Sequence, residues 1–403
     1  MNKNERLESL DQFRGYTVLG MLLVNFLGGY EACPKILRHS HDYVSYADTI
    51  MPQFLFAVGF AMRLSVGRKL HSQGAISVYS RMVRRLLGLV LVSLVVYNAG
   101  LRVENWQQLR ELGFWGAIQG PLKRDWFQTL MHIAVTSLWI LPVIHARITT
   151  RLSWMLGSAL LHVLLSYWFN YVWVNTSPNG IDGGPLGFLS WTIPAMLGTV
   201  ACDMFVPAPN AEPRRNPVLK SLALSFSVML IGFGFSCGTR FYDSAESLGS
   251  DGSAVKIADH PVLPSKDQIQ IKRETSEGIW DFLAEPPFVP PPSWEQRKWN
   301  YWMMSQRGGT LSYLTFSAGF SLLVFLFFYL VCDKAKLRLG VFHTFGTNAL
   351  LAYVLHDMIG NAIGPFVPKD SPTWYVAGWL AIFFCVNWLF VRHFEKSGWF
   401  LRV

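Results

Sequence analysis

The segment TLSYLTFSAGFSLLVFLFFYLVC, residues 310–332, runs for 23 residues without a charged side chain and is closed by Asp333 and Lys334. As a helix rising 1.5 Å per residue it reaches about 34 Å, enough to cross a hydrocarbon core of about 30 Å. Similar apolar blocks recur on either side of it, at roughly 12–30, 46–66, 79–98, 126–146, 151–174, 186–206, 217–238, 341–363 and 374–394, which makes ten expected spans. Pro52, Pro142 and Pro194 fall inside them, which neighbouring helices or water tolerate by re-satisfying the freed carbonyls. The composition points the same way: 51% of the 403 residues are hydrophobic and 15% are charged, where a soluble domain averages about 25% charged. The expected fold is an all-α polytopic membrane helix bundle forming a single domain over 1–403, with a large extracytoplasmic loop, 239–309, between spans seven and eight.

The net charge of +9 does not call for nucleic acid, because the positive residues flank apolar blocks, and topology accounts for them. The five cysteines are scattered without a C-x-x-C, so neither a metal site nor a disulfide framework is encoded, and buried small hydrophobes are expected. A cleaved signal peptide is not expected: fourteen mostly polar residues precede the first block, and no small-x-small site follows it. With both termini inside, 20 Lys and Arg fall on the cytoplasmic side, 7 in the short outside loops and 8 in the long loop. Long segments translocate regardless of charge, so the asymmetry of 20 against 7 sets an N-in, C-in orientation. The inside set includes Lys3, Arg6, Arg63, Arg151, Arg214, Arg215 and Arg402. Three outside segments carry information: 31–45 with two histidines, the Gly-rich turn 175–185, and 239–309, whose PPFVPPPSWEQRKW suits either a partly ordered lid or a solvated linker.

Polar side chains at membrane depth are costly and mark cavities or partners. Asn25 lies eleven residues beyond Arg14 on one helix, about 16 Å along the axis. His356 lies at a similar height in the ninth span, and His39 and Asp48 flank the outer mouth of the first helical hairpin. Each has a plainer reading. Asn25 suits a helix–helix hydrogen bond, Asp48 suits a helix cap, and His39 or His41 suits an interfacial loop. At the other end Arg14, Arg81, Arg84 and Arg85 cluster, as membrane anchors or as a seat for a polyphosphate such as the nucleotide end of coenzyme A. No Walker or G-x-G-x-x-G motif follows a strand, so neither ATP hydrolysis nor a Rossmann cofactor is indicated.

The opening RLESLDQFRGYTVLGMLLVNF (Arg6–Phe26), then His39, then YADTIMPQFLFAVGFAM (Tyr46–Met62) resembles the heparan-α-glucosaminide N-acetyltransferase family. Later blocks agree: RRLLGLVLVSLVVYN (84–98), GPLGFLSWTIPAMLGT (184–199), 310–333 and FGTNALLAYVLHDMIG (345–360). The resemblance implies an enzyme that takes acetyl from cytosolic acetyl-CoA, as co-substrate and without a metal, and passes it to an amine or hydroxyl of an extracytoplasmic glycan such as an amino sugar. It implies catalytic roles for His39, Asp48, Asn25 and His356, with His41 competing for the loop position, and acetyl-CoA binding by Arg14, Arg84, Arg85 and Asn348. A bacterial inner-membrane protein without the family's lumenal N-terminal domain is expected, in contact with membrane lipid and compatible with a homodimer. Departures are also visible. Thr129-Leu130-Met131-His132 stands where the family has V-L-Q-R, and Gln306 and Gly309 stand for its Lys and Trp before Thr310, which bears on sugar specificity. In a related O-acylating superfamily a histidine follows the arginine at the position held here by Asn25, so the first family is favoured.

Direct transfer to the acceptor and an acetyl-histidine intermediate are both compatible with these residues. The competing class is a proton-coupled transporter, which ten spans and a mid-membrane histidine also suit; the lack of an inverted repeat argues against it.

Overall fold

The computed structural model describes residues 7–97, 100–101, 103–206, 216–243 and 256–401. Lys3, Arg6, Arg214, Arg215 and Arg402, counted above as inside charges, and Asn98 lie outside these residues. Among the described residues the chain is all-α, its β pairings being two isolated bridges, Asp243 with Arg297 and Ile257 with Trp299.

The helices run α1 (Glu8–Leu27), α2 (Tyr46–Gln73), α3 (Ala75–Val96), α4 (Trp106–Lys123), α5 (Thr129–Ile140), α6 (Ile148–Trp168), α7 (Asn170–Asn175), α8 (Phe188–Phe205), α9 (Pro217–Ser236), α10 (Lys266–Thr275), α11 (Leu311–Phe328), α12 (Gly340–Thr347), α13 (Ala349–Ile363) and α14 (Thr373–Lys396). Six described helical segments, built on α2, α6, α8, α9, α11 and α14, are long and apolar enough to cross a membrane. The other four expected spans differ for physical reasons. Charges near the ends of α1 (Glu8, Asp11, Arg14) and within α3 (Arg81, Arg84, Arg85) lower their apolar character. The fourth apolar helix, Thr129–Val143, is short, and the ninth expected span is two helices that break at Asn348 (φ −128°, ψ 45°). The stretch expected as a loop before α5 holds α4, capped by the Asn105 side chain and kinked at Gly113 (φ 65°). Its exposed Trp106, Phe114 and Trp115 form an aromatic surface of the kind that sits at a membrane interface.

Helices α2, α8 and α11 form the buried centre, with Phe13, Phe56, Phe60 and Phe325 in edge-on and tilted contact. α2 and α8 meet backbone to backbone: a Cβ on Gly59 would sit 1.9 Å from the Ala195 carbonyl oxygen, and one on Gly198 would sit 2.0 Å from that of Phe56. Small residues allow such close crossings, where packing contacts replace the missing hydrophobic drive between helices in lipid. Arg63 and Arg151 are turned inward: Asp203 accepts from Arg63 Nε at 2.9 Å and from Arg151, and Arg63 also donates to the Ile144 carbonyl at 2.8 Å. This ties α2, α6 and α8 together at one end.

A second cluster joins α1, α13 and α14 through Val18, Leu22, Phe26, Ala352, Tyr353, Val376 and Phe383. Its seam with the first cluster holds the cavities described below. The described part of 239–309 is an ordered cover. Buried Arg297 bonds Asp243 at 2.6 Å and Glu285 at 2.5 Å, Tyr301 bonds His162 of α6 at 2.8 Å, and Phe288 packs edge-on against Phe316 and Phe320 of α11. The cysteines are free; Cys385 differs from expectation in being exposed, on α14.

Candidate active site

The first turn of α2 is built by its own sequence. Ser45 caps the helix and Asp48, three residues on, returns the bond in a capping box. Asp48 Oδ2 accepts from Ser45 N and Ser45 Oγ, both at 2.9 Å, and from Ser40 N at 3.3 Å. This leaves Oδ1 for His39 Nδ1, at 2.9 Å. Asp48 therefore caps the helix with one oxygen and holds His39 with the other. With its Nδ1 proton directed at the carboxylate, His39 keeps Nε2 as its basic nitrogen. Burial opposes charge on the ring, but the hydrogen bond to Asp48 and the charges of Asp48 and Asp182 outweigh it, and the His39 pKa lies above the usual 6.5. Tyr313 of α11 holds the Asp48 backbone carbonyl at 2.6 Å, locking this turn against the buried centre.

His39, Asp48, Asn25 and His356 line one cavity of about 230 Å³. His356 Nδ1 is directed at the Tyr353 carbonyl, so its Nε2 faces the Asn25 amide at 2.9 Å and Asp357 Oδ1 at 3.1 Å. Asp182, Tyr97 and Tyr353, not singled out from the sequence, complete the chamber. Asp182, in left-handed backbone (φ 55°) in the Gly-rich turn before α8, is buried and accepts from Gln306 Nε2 at 2.8 Å. Burial pushes its carboxyl up to about 7, against the opposing influence of Gln306 and His39. Tyr97 and Tyr353, hydrogen-bonded through their hydroxyls, stand on another wall and are further candidate donors toward a reacting carbonyl. The lone acid in a Gly-rich turn was the available signal for Asp182; the tyrosine pair comes from the C-cap of α3 and from α13, and no sequence spacing links them.

His41 does not line this chamber; burial and the charges of Arg307, His39 and Arg124 push it down to about 4. His132 is fully buried against Phe127 and Trp191 and lines none of these cavities, while Gln128 and Thr129 beside it do reach the chamber.

A second cavity, of about 530 Å³, lies toward the arginine end and is lined by Arg14, Arg85, Ser65, Thr347 and Leu401 among apolar residues. Phe54 and Tyr353 line both cavities and form the septum between them. Arg84 is exposed on α3 and does not line the cavity. Asn348 acts at one remove. Its side chain donates to the Trp399 carbonyl at 3.0 Å and accepts from Leu401 N at 3.1 Å, and so holds the tail segment whose Leu401 closes the wall.

A basic imidazole, a buried carboxylate behind it and a separate arginine-mouthed cavity suit acyl transfer between two compartments. The sequence model described as the catalytic region of heparan-alpha-glucosaminide N-acetyltransferase matches residues 6–232, more than half of the chain. The chain belongs to that family. No curated protein matches it. The family match takes in Arg14, Asn25, His39, Asp48, Arg85 and Asp182, while Gln306, Tyr353 and His356 lie beyond it. As a heparan-alpha-glucosaminide N-acetyltransferase family member with six long apolar helices, the chain is a transmembrane acetyltransferase. Among the described residues no group of three His, Cys, Asp or Glu is arranged to hold a metal.

Proposed function

We propose that this protein transfers acetyl from cytosolic acetyl-CoA, taken up at the arginine end, to the amine of an amino sugar presented on the opposite side of a bacterial inner membrane. The observation that carries this reading is the septum. Among the described residues only Phe54 and Tyr353 line both the cavity of Arg14 and Arg85 and the cavity of His39, so a long thioester arm needs to pass two side chains to reach the imidazole. An amine is favoured over a hydroxyl because Asp48, Asp182 and Asp357 line the chamber and, among the described residues, no lysine or arginine does. Such a wall concentrates an ammonium.

In the reaction the neutral amine nitrogen attacks the thioester carbonyl carbon, the C–N bond forms and the C–S bond breaks. The proton lost by nitrogen passes to His39 Nε2 and from there to the departing thiolate, giving amide and free thiol. Asp48 keeps the tautomer and stabilises the imidazolium. Asn25 or the Tyr97–Tyr353 pair donates to the developing oxyanion, a contribution of about 3 kcal/mol when preorganised.

Labelled acetyl transfer from acetyl-CoA to an amino-sugar panel, with protein in nanodiscs, tests this. His39→Ala should keep acetyl-CoA binding and lose at least a hundredfold in turnover, and His41→Ala should retain it. Loss in His41→Ala with turnover kept in His39→Ala would refute the assignment.

A further inference from the structure

The reaction chamber continues into a third cavity, of about 400 Å³, through the shared residues Asn25, His356 and Asp357. Its far walls are Gly29, Tyr30, Gly360, Asn361, Gly364 and Lys369. This cavity opens on the surface of the bundle: the Asn25 and Asn361 side chains are exposed, Asp357 is 48% exposed, and Met358 beside it is 65% exposed. Asp357 stands six residues, about 9 Å, inside the end of α13. A half-exposed carboxylate at that depth does not face bare hydrocarbon; it faces water or a polar ligand.

The groove is bipolar. Its acidic end, Asp357, joins the chamber, and its other end holds Lys369, among the described residues the one lysine or arginine in the lining. Among the described residues the Lys369 ammonium has no ion-pair partner. Lys369 lies between α13 and α14, in a turn flanked by the exposed rings of Phe366 and Trp374, the aromatic arrangement that marks the level of lipid headgroups. From Asp357 to Gly364 the helix advances about 10 Å, the reach of one sugar ring and a phosphodiester. The floor is smooth, because a Cβ on Gly29 or Gly364 would meet nothing within 4 Å.

We propose that this groove seats an acceptor delivered on a lipid: an amino sugar joined by a phosphodiester to a hydrocarbon chain, with the amine in the carboxylate chamber, the phosphate at Lys369 and the chain leaving sideways into the bilayer. The proposal rests on the acetyl-transfer reading and adds the class of acceptor. A soluble glycan end needs neither a cation at headgroup level nor a polar slot open along the helix face.

The test compares four acceptors with protein in nanodiscs: glucosamine, glucosamine 1-phosphate, dodecyl glucosaminide and glucosamine 1-(dodecyl phosphate). The dodecyl phosphodiester should show a KM at least tenfold below the other three, from a charge-assisted contact added to tail partitioning. Lys369→Gln should erase the advantage over the dodecyl glycoside and leave turnover of glucosamine unchanged. Asn361→Trp, which fills the groove away from the chamber, should impair the phosphodiester alone. Equal KM for the two dodecyl compounds, or an unaltered preference in Lys369→Gln, would overturn the proposal while transfer to glucosamine upheld the acetyl-transfer reading. Transfer to none of the four would count against both.

Discussion

At the scale of single residues, Asp48 decides what His39 is able to do. The hydrogen bond and charge of Asp48 hold the imidazole pKa above 6.5 despite burial, so the base is protonated, and useless, at acid pH. Activity should therefore rise with pH through a value above 6.5, and Asp182, titrating at about 7, should broaden that limb, because its ionised carboxylate favours the imidazolium. Asp48→Asn removes the main charge that raises His39. The acid limb should move to lower pH while kcat falls at least tenfold, since the tautomer and the imidazolium lose their partner. A pH profile of kcat/KM for both proteins checks this, and an unmoved limb would place the titrating group elsewhere. His39, Asp48, Asn25 and His356 were legible from sequence because each is a polar group that a membrane helix or its mouth must justify. Gln306 and the Tyr97–Tyr353 pair were not recognised as chamber residues, because tyrosine and glutamine are ordinary at helix ends and only the packing of distant segments brings them to one wall.

At the scale of elements, apolar length made the long helices readable, and the same measure misled where local chemistry interrupts a run. The ninth apolar block is continuous in composition, yet Asn348 leaves helical geometry there to bond the tail at Trp399 and Leu401. The clustering of arginines around α3 was equally readable, but which of them borders the cavity was not: Arg84 and Arg85 are both exposed, and Arg85 lines the cavity while Arg84, one residue earlier, does not. Arg85→Ala should weaken acetyl-CoA binding about tenfold or more, the worth of a charge-assisted contact to phosphate, with a shallower salt dependence. Arg84→Ala should leave affinity within about twofold, as an exposed charge outside the cavity does. Arg85→Lys keeps the charge and loses the bidentate fork, so it should fall between the two. Calorimetric titration of the purified variants reads all three, and equal affinities throughout would reduce these arginines to anchors.

At the scale of the whole molecule, the cover formed by 256–309 and the orientation of the bundle determine which side supplies which substrate. The cover is latched by Arg297 between Asp243 and Glu285, outside the membrane helices. Burial opposes the Glu285 charge, but the bond to Arg297 outweighs it and holds its pKa below 4.5, so this stabilisation is complete above the ordinary glutamate value and is lost only as pH falls through the depressed one. Arg297→Ala should strip the latch at neutral pH, as loss of hydrogen-exchange protection across the cover, because the two carboxylates remain without their cation. Sidedness is a separate matter of charge. From the excess of 20 basic residues over 7 we propose that the arginine end lies inside, so that the cavity of Arg14 and Arg85 takes up acetyl-CoA from that side. The prediction is specific to position: with the native cysteines replaced, a cysteine at Lys266, on the exposed face of α10, should react with an impermeant maleimide in intact cells, and one at Lys336 should react only after permeabilisation. Both sites are exposed, so unequal labelling reports orientation and not burial. The reverse pattern would exchange the donor and acceptor sides, and His39, rather than Arg85, would then open toward the compartment that holds acetyl-CoA.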